Sequence, residues 1–279
     1  MRILTATLLS LFCALCSFKL LQAQQSPPQP PVREPDAVTI LVQSVASAGG
    51  ANALSSIEDF SATGTITYFW GGQEASGSAT VRARGKDQFS LESQLPDGKR
   101  LFIVSHGKGK AFEPDGKVTD LPFRNTFNLG IVTFPYISVA AAISDPLTSV
   151  TSAPARQVVS VTNLEPIKPL APNVYGIRVQ RHFSTDASDS LSKLTVTDYW
   201  VDTNSGLIVQ VDDTMHSAMI PGREYPHEID LGNYKRINGI SVPMDVSDKV
   251  NGQLLWKLNL DTVNFNVGLS DSDFDLGSK

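Results

Sequence analysis

The sequence predicts a mainly β domain with few helices, laid out as an antiparallel meander. Three observations carry that expectation. From Phe60 onward apolar residues recur at every second position. Turn signals interrupt these runs at short intervals, among them Gly71-Gly72, two copies of Pro-Asp-Gly-Lys, and Asn238-Gly239. Helical periodicity is confined to two stretches, and composition does not change regime, so 37–279 reads as a single domain.

Each element follows in order. Residues 1–23 form a signal-peptide pattern, with Arg2 as the positive start, an uncharged apolar run from Ile3 to Phe18, and Leu21-Gln22-Ala23 before a polar stretch. The run is shorter than the roughly 20 residues of a spanning helix, and Lys19 closes it. Cys13 and Cys16 both fall inside it, behind Leu15 and Phe12, which are too large for a lipidation site. The cleaved chain would therefore hold no cysteine for a disulfide, a thiolate or a metal. Loss of Arg2 and Lys19 would take its charge from −5 to −7. A periplasmic or secreted, unlipidated protein is expected.

Residues 24–36 contain five prolines and read as a stiff linker. Ala37 to Ser56 places Val38, Leu41, Val42, Val45, Ala46 and Ala48 close to helical spacing, interrupted at Gly49-Gly50. Strands follow over Phe60 to Trp70, Ala75 to Arg84, Phe89 to Leu95, Leu101 to Ser105 and Lys110 to Glu113. The meander breaks between Leu121 and Pro146, where Pro135-Tyr136 to Ile143 reads as a short apolar helix. Strands resume at Arg156 to Thr162, Val174 to His182, Leu194 to Val201, Leu207 to Met215 and Glu224 to Tyr234. Two more alternate on either side of an Asp248 to Gly252 turn, making about a dozen.

The chemistry these residues offer is sparse. Of 279 residues, 41% are hydrophobic and 18% charged, which is enough to bury a core, and acidic groups outnumber basic ones by 28 to 23. That balance argues against a nucleic-acid partner, which needs clustered Lys and Arg. His106, His182, His216 and His227 have no metal-ligand spacing, and no serine elbow is present. Gly107-Lys108-Gly109-Lys110 lacks the phosphate-loop spacing and reads as a hairpin tip. Asp212-Asp213 is a conceivable acid/base pair, whereas Asp271, Asp273 and Asp275 read as a solvated acidic tail. Tyr225-Pro226-His227-Glu228, with Asp230, is the most site-like polar cluster, His227 sharing a strand face with Ile229 and Glu228 with Asp230. No catalytic residue, metal site or cofactor is expected.

A sheet this long must bury one face, by closing on itself, stacking as a sandwich, or curling around helices and an apolar ligand. For the last arrangement the strand faces nominate Ile66, Tyr68, Trp70, Trp200 and Trp256 as cavity wall, with the Pro-bounded helix as lid or plug.

The order of elements resembles the periplasmic lipoprotein-carrier superfamily of LolA, LolB and LppX-like proteins. The likeness rests on the helix ending in Ala48-Gly49-Gly50, the strand Ser61-Ala62-Thr63-Gly64-Thr65, and Tyr199-Trp200-Val201-Asp202-Thr203 with Gly206-Leu207. It extends to the hairpin Tyr234-Lys235-Arg236-Ile237-Asn238-Gly239-Ile240-Ser241-Val242-Pro243, and spans roughly Asp36 to Val267. The resemblance implies an unclosed β half-barrel wrapped over helices, enclosing a hydrophobic cavity for acyl chains. Tyr136, Ile137, Val139 and Ile143 would then form the lid. Implied partners are a lipid or acylated protein, with peripheral membrane contact, in a role such as lipid transport or outer-membrane biogenesis. No residue matches a carrier's functional arginine or membrane-inserting loop. Two alternatives stay open: an envelope sensor or scaffold binding a protein, and a hydrolase using His227, Glu228 and Asp230.

Overall fold

The computed structural model describes residues 31–127, 134–154, 173–183, 191–220 and 222–277. The signal segment, most of the Pro-rich linker and the strand expected over Arg156 to Thr162 lie outside them.

Proline opens helix α1 (Pro35–Ala48), where its missing N–H has no intrahelical acceptor to lose. Leu41, Val45 and Ala48 form its buried stripe. Gly49 stops it at φ 138°, and a Cβ there would come within 2.9 Å of the Gly239 carbonyl oxygen. The helix end and a later hairpin thus close on each other. A short α2 (Ala51–Ser55) follows.

The first run of strands is β1 (Asp59–Trp70), β2 (Gln73–Arg84), β3 (Gln88–Leu95), β4 (Gly98–Ser105), β5 (Lys108–Phe112) and β6 (Val118–Asp120). Helix α3 (Tyr136–Ser144) leads to the second run: β7 (Thr148–Ser152), β8 (Val174–Arg181), β9 (Thr197–Asp202), β10 (Ile208–His216), β11 (Glu224–Ile237), β12 (Ile240–Val250) and β13 (Gln253–Phe265). All neighbours are antiparallel, in the order β6-β5-β4-β3-β2-β1-β13-β12-β11-β10-β9-β8-β7. The sheet ends at β6 and β7, which do not pair, so it curls without closing into a barrel. Strands β1 and β13 form the seam between two meanders. At a register shift there, Gly64 lies so close to its neighbour that a Cβ would sit 2.1 Å from the Asn259 carbonyl oxygen.

Alternation along β1 puts Phe60, Ala62, Ile66, Tyr68 and Trp70 on one face, and the register carries that face across Leu258, Val246 and Leu231. Helices and this inner face share one continuous core. Helix α1 packs on α3, β7, β8 and β12, so the main helix contacts fall on the later strands.

The exposed edge at β7 is protected. Val32 and Glu34 exchange backbone hydrogen bonds with Val150, and the Glu34 carboxylate accepts from the Ser152 N–H and hydroxyl at 2.8 Å each. The chain is therefore already engaged with the sheet inside the stretch expected to be linker. Between them, Arg33 donates to the carbonyls of Ala142 and Ile143, orphan acceptors at the end of α3, and to those of Asp145 and Thr148 beyond it.

The acidic tail differs from expectation. Asp271 and Asp275 are exposed, but Asp271–Phe274 forms a 3-10 turn that buries Phe274 against Leu101 and Ile103 on the outer face. The turn into it is set by Asp59, whose carboxylate accepts the N–H groups of Val267, Gly268 and Leu269. No local pattern reports a contact made across more than 200 residues.

Candidate functional site

A pocket of about 300 Å³ opens on the inner face where the helices stop. Its floor is the β1–β13 seam, where Tyr68 stands directly opposite Trp256. Trp70 stacks on Tyr68, ring centroids 5.0 Å apart and planes 12° from parallel. Leu91 and Phe102 face it from β3 and β4, and Met215 reaches it from β10 on the other arm of the curl. Every residue of this wall lies on a strand or in a tight turn.

The polar groups at the pocket are few and tightly held. The Arg100 guanidinium lies 4.5 Å from the Trp70 ring centroid. It donates both Nη groups to Asp97, at 2.8 and 2.7 Å, and Nε to Glu113 at 3.0 Å. Hydrogen bonding to Asp97 raises the Arg100 pKa and lowers that of Asp97. Burial pushes the Tyr68 hydroxyl upward.

Asp248 also borders the pocket, and belongs to a buried chain of three residues. Register sets Asp213 directly across from His227 on β11, while Asp248 lies diagonally across on β12. His227 Nδ1 is 2.6 Å from Asp213 Oδ1, and Nε2 is 3.0 Å from Asp248 Oδ2. Burial disfavours the imidazolium, but hydrogen bonds and charge from the two carboxylates overcome it and hold the pKa up at about 10. The chain therefore sets one imidazolium between two carboxyl groups. Asp248 Oδ1 is buried and accepts no hydrogen bond from the described residues.

The structure separates several residues that the sequence nominated together. Ile66, Tyr68, Trp70 and Trp256 share the inner face. Trp200 does not: its neighbour Tyr199 pairs with Val211 on that face, and alternation turns Trp200 outward. There it covers Gly176 and donates from Nε1 to Asp212 at 2.8 Å. Ile66 is fully buried in the core and lies below the pocket.

Helix α3 sits apart from the aromatic pocket. Tyr136 and Val139 are fully buried, Ile137 and Ile143 are half-buried, and the Ile208 N–H donates to the Tyr136 hydroxyl at 2.9 Å. Its Ser138, Ala141, Ala142 and Asp145 instead border a second pocket of about 280 Å³, near the other end of the strands.

The polar cluster on β11 is divided as its alternation demands. His227 turns inward to Asp213 and Asp248, while Glu228 turns outward, where Gln210 Nε2 donates to it at 3.2 Å. Asp230 pairs with Lys249. Both nitrogens of His227 face carboxylates, which leaves neither to serve as a general base. Among the described residues no cluster of His, Cys, Asp and Glu has metal-binding geometry.

Arg100, Glu113 and Asp248 were not nominated from sequence, and Asp213 was weighed only with Asp212 as an acid/base pair. One signal was available: Asp248 keeps step with Val242, Met244 and Val246, and Asp213 with Val211. An acid in phase with a buried face must find a partner inside.

No protein-family model and no curated protein matches the sequence. Solved structures do. A domain from Vibrio parahaemolyticus, provisionally described as an outer membrane lipoprotein-sorting protein, is 14% identical, with 85% of this chain and 95% of that one covered at a TM-score of 0.50. A DUF1329 family protein from Desulfovibrio piger is 12% identical, covers 89% and 98%, and gives 0.51. A LolA superfamily protein from Nitrosomonas europaea is 12% identical, covering 86% and 97%, at 0.49. At these identities the likeness is one of fold. The likeness to the first two is one of architecture: among the described residues, a curled antiparallel sheet over three helices that is left unclosed.

Proposed function

We propose that this chain is a cell-envelope binding protein that holds the acyl chain of a lipid or acylated protein against the inner face of its sheet. The observation that carries this reading is the aromatic pocket, left where the helices cease to cover the sheet. Tyr68, Trp70 and Trp256 would form its wall. At about 300 Å³ it sits at the small end of ligand pockets, which suits part of one chain rather than a whole lipid. Each methylene buried there would contribute about 0.8 kcal/mol before ordering costs. The structural neighbour described as a lipoprotein-sorting domain supports the same class of ligand.

Export by a cleaved signal into the periplasm or medium belongs to this proposal. No helix of the described residues is long and apolar enough to cross a membrane. Peripheral contact with a bilayer would suit the β10–β11 loop, where Met219 is 90% exposed beside Ile220.

Native mass spectrometry of the protein purified from a bacterial periplasm, followed by organic extraction, tests the reading. A bound mass that extracts as phospholipid or acylated species is expected. A clean apo mass together with no uptake of a fluorescent fatty acid would overturn it and favour the protein-binding sensor or scaffold.

A further inference from the structure

We propose that the aromatic pocket selects amphiphiles with a hydrogen-bond-donating cationic head, a primary ammonium, and seats that head on Asp248. The inference rests on the pocket being the ligand site and names the class of ligand it takes.

The first support is an unmet acceptor. Asp248 is only 5% exposed and borders the pocket. Its Oδ2 is engaged by His227, while Oδ1 has no donor among the described residues. A buried carboxylate oxygen left without a donor is costly, so a ligand that delivers an N–H there gains more than it would at a satisfied site.

The second support is the charge balance. Glu113 and Asp248 line the pocket with Arg100; Arg100 is paired with Glu113 and Asp97, and His227 lies between Asp248 and Asp213. The lining therefore sets two carboxylates against one guanidinium, which favours a ligand cation over an anion.

The third is the state of Arg100. An anionic head, such as a fatty-acid carboxylate, would need that guanidinium, but Asp97 occupies both its Nη groups and Glu113 its Nε. A carboxylate would meet a guanidinium already paired with two carboxylates, three of its five N–H donors committed, while facing Asp248. Tyr68 and Trp256 line the pocket, and aromatic rings attract a cation over their faces but not an anion.

Titration of the intact protein with dodecylamine, dodecan-1-ol, dodecanoic acid and dodecyltrimethylammonium, each below its micelle concentration near neutral pH, tests this by tryptophan fluorescence and calorimetry. Dodecylamine should bind at least about tenfold tighter than the alcohol, the order of one charge-assisted hydrogen bond. It should also bind tighter than the quaternary ammonium, which carries charge but no donor, and the acid should bind weakest. Asp248→Asn should remove the preference for the amine over the alcohol. Because the comparison of heads uses the wild-type protein, it decides the matter even if that variant fails to fold. Equal affinity for amine and alcohol, or preference for the acid, would overturn the inference and leave the acyl-chain reading standing. Failure of every probe to bind would overturn both.

Discussion

Asp248 Oδ2 lies 3.0 Å from His227 Nε2 on the inner face of the sheet, and that contact draws β12 and β11 into one electrostatic unit with Asp213 on β10. Three charges are buried where alternation places apolar residues on either side. A buried triplet of this kind is expensive to break and is sensitive to proton uptake.

The pH dependence of stability has a definite sign. The folded pKa of His227, about 10, stands above its usual 6.5, so the folded state binds this proton more tightly than the unfolded chain. The stabilisation is complete below about 6.5 and is lost as pH rises toward 10. Urea unfolding from pH 6 to 10 should show a decline on the order of a few kcal/mol. His227→Ala should cost roughly 3–5 kcal/mol by leaving two carboxylates buried without their cation. The variant should also flatten the profile in this window, and an unaltered slope would exclude His227 as its source.

Arg33 fixes the end of α3. Arg33→Ala removes donors to four carbonyls and should cost about 1–3 kcal/mol. Hydrogen exchange should rise around Ile143 to Thr148. Arg33→Lys should restore only part of the loss, since one ammonium lacks the planar fork that reaches all four. Equal exchange in wild type and Arg33→Ala would show that α3 is held by its packing alone.

The two faces of the sheet separate the tryptophans. Trp70 is 42% exposed, so Trp70→Asp should leave a folded sheet and abolish uptake of an acyl probe. Trp256→Asp should act in the same direction. Trp200→Phe, on the outer face, should leave probe affinity unchanged and lower stability by about 1 kcal/mol through loss of its bond to Asp212. Loss of binding in Trp200→Phe with none in Trp70→Asp would refute the placement of the site.

The seam between the meanders depends on Gly64. In Gly64→Val the new Cβ would meet the Asn259 carbonyl oxygen at 2.1 Å, and backbone on both strands would have to separate. A loss of roughly 3–5 kcal/mol is expected in chemical denaturation. A change below about 1 kcal/mol would mean that the seam has slack.

Much of the fold was legible in the residues, and the reasons are local. Glycine, proline and Asn-Gly set turns through backbone sterics, and alternation sets strand faces, so most strand positions follow from the chain. Strands β6 and β7 escape that reading because Val118–Asp120 is too short to alternate and Thr148–Ser152 is nearly all polar. The β7 edge is made instead by its neighbours, β8 on one side and Val32 to Glu34 on the other.

The candidate site was less legible, and Trp200 shows why. Its residue type fits a cavity wall, and only its register against Val211 through Tyr199 reveals the opposite face. The sequence by itself determined a long antiparallel sheet with few helices, the face each strand residue takes relative to its neighbours, and the absence of any familiar catalytic motif, because all of these depend on contacts within a few residues. Tertiary structure alone decided that Tyr68 meets Trp256, that Asp97 and Glu113 occupy Arg100, and that Asp213, His227 and Asp248 form one chain. Those relations depend on strand register and on how far the sheet curls, which are set by the packing of the whole core and have no local signature.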